Sequence, residues 1–112
     1  MRLDLSRADD WATPTVLGLF IASTPAPEFR MDDRAQVSVR GHIDRNGVAS
    51  ATTAFVLPED LWPTSTVHRV IVTTPNGSTG RVVVTTGGEV ILHDTSGGTV
   101  TDYYVDFDYS AF

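Results

Sequence analysis

The sequence predicts an all-β fold, an antiparallel β-sandwich of jelly-roll type with about seven to eight strands. Fifteen threonines and fourteen valines are present, and these β-branched residues fit a pleated strand better than a helix. Strand-like runs recur between turn signals, whereas helix-period patterning is nearly absent. Because the turn signals are short, successive strands are expected to run antiparallel.

Length and composition indicate a single domain over residues 1–112, in which residues 1–11 form an N-terminal arm or docking segment. A chain of this length buries roughly two-thirds of the surface that it exposes when unfolded, which is enough for one core but not for two. There is no cysteine. Disulfides, thiolate metal sites and a thiol nucleophile are therefore excluded.

The chain has a formal net charge of −6. It therefore lacks the excess of basic residues expected of a protein that binds nucleic acid or an anionic membrane. No apolar run approaches the roughly 20 residues needed to cross a bilayer. Asp4, Asp9 and Asp10 lie where a signal peptide would carry its apolar segment. Sec-type export is therefore not expected, whereas release by lysis, inside an assembled particle, would fit.

The strands are predicted from apolar runs and the punctuation between them. In chain order they are 15–23, a short segment 28–30, 34–43, 51–57, 66–74, 80–85, 89–94 and 100–109. Turn signals lie at 31–33 (MDD), 46–47 (NG), 75–78 (PNGS), 87–88 (GG) and 96–98 (SGG). The Asn-Gly pair is the strongest hairpin signal among them. Residues 58–63 (PEDLWP) predict a turn or a single short helical turn, because prolines occupy both ends.

Two runs alternate clearly enough to assign their faces. In the run 34–43 the face predicted to be buried carries Ala35, Val37, Val39, Gly41 and Ile43. In the last run one face carries Tyr103, Val105, Phe107 and Tyr109, and the other carries Asp102, Tyr104, Asp106 and Asp108. The aromatic face is predicted to be core.

The residues offer little for catalysis or metal binding, and we expect neither an enzyme, nor a metal site, nor a cofactor. His42, His68 and His93 lie on separate strands without metal-ligand spacing. There is no Gly-x-Ser-x-Gly elbow. Asp102, Asp106 and Asp108 could gather around a hard cation, but a charged outer face that discourages edge-to-edge pairing is the preferred interpretation.

Two aromatic residues are weak candidates for ligand binding. Trp62 lies in the one irregular connection, where it could stack on a sugar ring, anchor a partner, or cap the core. Tyr104 lies among aspartates on the face opposite the predicted core. Trp11, at the entry to the first strand, is expected in the core or at a subunit interface.

An ordered set of motifs spans nearly the whole chain. The motifs are Trp11, 29–30 (FR), 37–41 (VSVRG), 57–58 (LP) with 62–63 (WP), 81–84 (RVVV), 87–92 (GGEVIL) and the aromatic-rich 103–112. In this order they resemble the C-terminal β-sandwich domains of bacteriophage minor tail and tail fibre (receptor-binding) proteins. The hairpin after Arg30 departs from that pattern, since it lacks the usual glycine and is one residue longer.

The resemblance implies a homotrimeric β-sandwich in the virion, at the tail tip or fibre, that contacts the host surface, with a host glycan as a candidate ligand. No binding residues carry over, since such domains share no single ligand. A first alternative is a capsid or tail decoration protein, favoured by the lack of a stalk. Its arm would dock on another virion protein by adding a strand, through Leu3, Leu5 and Trp11. A second alternative is a bacterial carbohydrate-binding module.

Overall fold

Two antiparallel sheets form a β-sandwich in the computed structural model, which describes residues 11–18, 20–46, 48, 51–74, 79–94 and 101–111. The larger sheet has seven strands in the order β1 (Ile21–Ala22), β4 (His42–Asp44), β9 (Asp102–Tyr104), β6 (Val67–Thr74), β7 (Thr79–Val84), β8 (Glu89–Asp94) and β5 (Thr52–Val56). The smaller sheet has the order β10 (Phe107–Ser110), β3 (Gln36–Arg40) and β2 (Glu28–Met31). The predicted all-β sandwich is confirmed.

Two predicted strands are each divided between the sheets, so the described residues contain ten strands rather than seven or eight. Gly41 separates β3 from β4, with a φ of +133° that L side chains rarely adopt. Val105 and Asp106 separate β9 from β10. The two breaks lie side by side, because the Val105 N–H donates to the Gly41 carbonyl (2.9 Å) and the Gly41 N–H donates to Asp106 Oδ1 (3.1 Å). Both strands therefore cross between the sheets at the same level.

The hairpin between β2 and β3 is closed by an aspartate. Asp32 Oδ1 accepts hydrogen bonds from the N–H groups of Gln36 (3.0 Å) and Arg34 (2.8 Å). These bonds, that from Gln36 first, hold the pKa of the Asp32 carboxyl below its ordinary value. Ala35 takes a left-handed conformation with φ +62°. The position that a glycine would fill without strain is thus occupied by alanine here.

Two further predicted hairpins are confirmed by strand pairing. β6 pairs with β7, and residues 75–78 between them lie outside the described residues. β7 pairs with β8, and the Gly88 N–H donates to the Thr85 carbonyl (2.9 Å) where the chain reverses. Gly88 has a φ of +77°, which explains the glycine at this position.

The prediction that tight turns join successive neighbours is wrong at two places. Asn46 has a φ of +48° and its N–H donates to Asp44 Oδ1 (2.8 Å), so a local turn forms. The strand that follows is nevertheless β5, at the opposite end of the sheet, because β1 and β9 flank β4. Likewise β9 pairs with β4 and β6 rather than with β8, and residues 96–98 lie outside the described residues. A turn signal fixes a change of direction but not the pairing partner.

The predicted first strand, 15–23, is wrong in extent. Among the residues of this range that the structure describes, only Ile21 and Ala22 form a strand, β1, which pairs with β4. Gly18 takes a φ of +61°, and the Leu17 N–H makes a single bond to the Ala54 carbonyl of β5 (2.7 Å). We call residues 11–18 and 20–22 the strap. Since four residues reach at most about 14 Å, the strap can touch β5 and β4 only because the seven-stranded sheet curls toward closure.

The core lies between the sheets and follows the predicted alternation. In the run 34–43, Val37, Val39 and Ile43 of the predicted face are buried. In the last run, Tyr103, Val105 and Tyr109 of the predicted face are buried. The Tyr109 hydroxyl donates to the Leu61 carbonyl (2.7 Å), and burial raises the pKa of Tyr109 above its ordinary value.

The connection between β5 and β6 contains one turn of 3-10 helix, Glu59–Leu61, as predicted. Leu61 is buried at its end. Within the described part of the chain, helices are too short and too polar to cross a bilayer.

Candidate contact surfaces

Trp62 is held against the domain by its ring nitrogen and remains open to water on one side. The indole Nε1–H donates to the Leu57 carbonyl (2.8 Å), and the Leu57 N–H donates to the Gly88 carbonyl (2.9 Å). A Cβ at Gly88 would overlap the indole, so the glycine provides the space that the ring occupies. The residue is 36% exposed. Trp62 thus packs against the backbone at Leu57 and Gly88 while presenting part of its ring.

Tyr104 is half-buried and lies on the water-facing side of the seven-stranded sheet. Its ring stacks on the His42 imidazole with 4.5 Å between ring centroids and 24° between ring planes. His42 Nε2 lies 3.1 Å from Asp102 Oδ1, close enough for an ion pair but without hydrogen-bond alignment. His42 Nδ1 lies 3.4 Å from the Thr24 carbonyl. The imidazole of His42, on β4, therefore lies between β9 and the segment at Thr24 that follows the strap.

Trp11 lies against arginines of the smaller sheet. The guanidinium carbons of Arg40 and Arg30 lie 3.7 Å and 4.6 Å from its ring centroid, distances at which a cation interacts with a ring. Arg40 also contacts Glu28, with 3.2 Å between Nη2 and Oε1. Next to Trp11, Ala12 bonds to Phe29 of β2 through both backbone groups (2.8 Å each). The start of the strap is thus fixed to a sheet edge.

Leu3 and Leu5, the other two residues predicted to dock a partner, lie outside the described residues. Their docking role stays a prediction.

The three aspartates near the C-terminus do not converge. Asp102 lies against His42, Asp106 lies in the break between strands and accepts the Gly41 N–H, and Asp108 lies opposite Ser38 in the smaller sheet. The prediction that all three share one strand is therefore wrong, because the strand changes sheet between them. Among the described residues, no three His, Asp or Glu side chains are grouped to hold a metal ion.

The sequence did not identify Val70 and Val72 as surface residues. They are 74% and 53% exposed on β6, whereas Ile71 and Thr73 between them are buried. Both faces of this strand are partly apolar, so alternation alone does not decide which one faces water. The exposed face became evident only when the strands on either side of β6 were known.

Comparison with known proteins finds a similar fold but no similar sequence. Neither a protein-family model nor a curated protein matches the sequence. Among solved structures, however, the two-sheet arrangement is similar to that of a bacteriophage protein that binds a receptor.

The similar structure is the crystal structure of the receptor binding protein (gp15) of Listeria phage PSA. The two chains superpose with a TM-score of 0.75 at 15% sequence identity. The match covers 89% of this chain but 63% of the other, so this chain corresponds to somewhat less than two-thirds of that protein. At this identity the likeness establishes a shared fold.

Proposed function

We propose that this chain is a structural protein of a bacteriophage particle, a domain of tail-tip or tail-fibre type that contacts the host surface. The observation that carries the proposal is the likeness of its fold to a phage receptor binding protein over 89% of the chain. The order of sequence motifs from Trp11 to the aromatic-rich last strands supports the same assignment independently of the superposition.

The proposal includes a homotrimer without catalytic activity. The absence of catalytic activity is proposed because the sequence has no Gly-x-Ser-x-Gly elbow.

Binding to whole cells tests the proposed function. The purified 112-residue chain is labelled with a fluorophore and incubated with a panel of bacterial strains from many genera. Flow cytometry should detect saturable binding to a restricted set of strains, and unlabelled protein should compete. If no strain binds the protein, the proposed host contact is wrong.

Sedimentation velocity tests the proposed oligomer. A trimer should sediment with three times the chain mass of 12.1 kDa. A species of 12.1 kDa at concentrations well above those in the binding assay would refute the trimer.

One observation favours the alternative of a decoration protein bound to another virion protein. Ala12 pairs with Phe29 at an edge of the smaller sheet, so residues 1–11 join the domain where strand addition could continue. Deletion of residues 1–10 should abolish incorporation into particles and leave the circular dichroism spectrum unchanged. Retained incorporation would exclude this alternative.

A further inference from the structure

The water-facing side of the seven-stranded sheet groups polar and apolar side chains around Tyr104. Strand pairing places His42 opposite Tyr104, Tyr104 opposite Val72, and Val72 opposite Thr79. One row of side chains therefore crosses four adjacent strands. We call this group the Tyr104 surface; it consists of His42, Val70, Val72, Thr79, Asp102 and Tyr104.

The apolar part of the Tyr104 surface is open to water. Val70 and Val72 are the two most exposed large hydrophobic residues in the described part of the chain, at 74% and 53%. They lie on β6 in the middle of the sheet, with β9 on one side and β7 on the other. A ligand that covers them removes apolar area from water without having to open the fold.

The aromatic part is held in place before any ligand arrives. One side of the Tyr104 ring rests on His42, which itself lies between Asp102 and the Thr24 carbonyl. A ring whose rotation is already restricted loses little conformational entropy when it binds.

We propose that the Tyr104 surface binds a saccharide that carries no anionic groups. This inference rests on the proposed function, in which the ligand belongs to the host surface. A pyranose ring has an apolar C–H side and a rim of hydroxyl groups. Tyr104 and Val72 match the apolar side, and Asp102 and Thr79 provide polar atoms for the rim.

Size and charge support this occupant over others. A stable protein interface needs roughly 20 to 30 residues on each side, whereas the Tyr104 surface offers a few side chains. Asp44 lies directly opposite Asp102 at one end of the surface, and the whole chain carries a net charge of −6. Arg81, opposite Val70 on β7, places one positive charge at the other end of the surface. The two acidic side chains at the Tyr104 end repel phosphate-bearing or carboxylate-bearing polymers.

A saccharide array divided into neutral, amino-bearing and acidic members tests the inference with the full chain. The variants are Tyr104→Leu and Val72→Ser. The matched control is Val56→Ser, which removes a valine of similar exposure (46%) from β5 at the far edge of the same sheet. Melting temperatures close to that of the unaltered chain establish that each variant is folded.

We expect the unaltered chain to bind at least one neutral or amino-bearing saccharide and no acidic one. Both test variants should bind about tenfold more weakly, as expected for the loss of one aromatic or apolar contact, and Val56→Ser should bind as the unaltered chain does. Absence of binding to the first two classes, or binding to acidic members alone, would overturn the inference. Binding by Tyr104→Leu and Val72→Ser that is as strong as binding by the unaltered chain would also overturn it.

The cell-binding assay separates this inference from the function on which it rests. If the unaltered chain and Tyr104→Leu bind cells equally well, the Tyr104 surface is not the contact site, while host contact stands. If the unaltered chain binds no cells at all, the proposed function itself is wrong.

Discussion

Replacing Gly41 by alanine should disrupt the point where β3 passes into β4. An added Cβ would lie 2.5 Å from Pro27 Cα and 2.7 Å from the Ala26 carbonyl oxygen. Ordinary carbon contacts are about 3.5–4.0 Å, and backbone atoms cannot rotate away. The φ of +133° adds conformational strain of about 1–3 kcal/mol, and overpacking adds about 1–3 kcal/mol. The expected loss is therefore about 2–6 kcal/mol, against a total stability of about 5–15 kcal/mol for a domain.

Gly87→Ala is the matched control, because it also adds one methyl group in place of a glycine hydrogen. At Gly87 the nearest atom to an added Cβ is Thr85 Oγ1 at 3.8 Å, an ordinary contact. Substitution there should change stability by less than about 1 kcal/mol, since reduced freedom of the unfolded chain is then the main effect.

Urea unfolding and thermal melts followed by circular dichroism measure both variants. At about 4 °C or more per kcal/mol for a small domain, Gly41→Ala should melt at least about 8 °C below Gly87→Ala. If the two variants melt within about 2 °C of each other, the structural reason given for Gly41 is wrong.

Three further changes have defined outcomes. Tyr109→Phe removes the donor to the buried Leu61 carbonyl and should lower the free energy of unfolding in urea by about 1–2 kcal/mol. Burial raises the folded-state pKa of Tyr109. The unaltered chain should therefore lose stability above pH 10 more steeply than the variant. Backbone hydrogen bonds, first from Gln36 and then from Arg34, hold the pKa of the Asp32 carboxyl low. Asp32→Ala should therefore be less stable than the unaltered chain at neutral pH. The difference in stability should shrink below about pH 4, where the carboxyl of the unaltered chain becomes protonated. Trp11→Ala removes the ring beneath Arg40 and should cost about 1 kcal/mol, with equal stability refuting a role for that contact.

The sequence predicted what depends on local alternation. Val37 and Val39 are buried because every second residue of a strand shares a face, and that rule needs no knowledge of the neighbouring strand. The same rule placed Tyr103 and Tyr109 in the core, although the strand that carries them changes sheet between them. Burial therefore continues to alternate across the break at Val105 and Asp106, although the alternation gives no sign that the strand is broken there.

What depends on distant pairing was not predictable from local patterns. The chain turns at Asn46, yet the following strand lies at the other end of the sheet. The candidate site shows the same limit. Tyr104 was singled out by its position among aspartates, but its stacking on His42 and its place beside Val72 follow from pairings between residues about 60 and 30 positions apart in the sequence.

The double crossing at Gly41 and Val105 also determines how the domain bears a mechanical load. β3 continues into β4, and β10 continues back into β9, so two covalent chains run through both sheets. A force that pulls the sheets past one another is therefore carried by two covalent crossings at once. It also strains the hydrogen bonds that join these crossings, from Val105 to Gly41 and from Gly41 to Asp106.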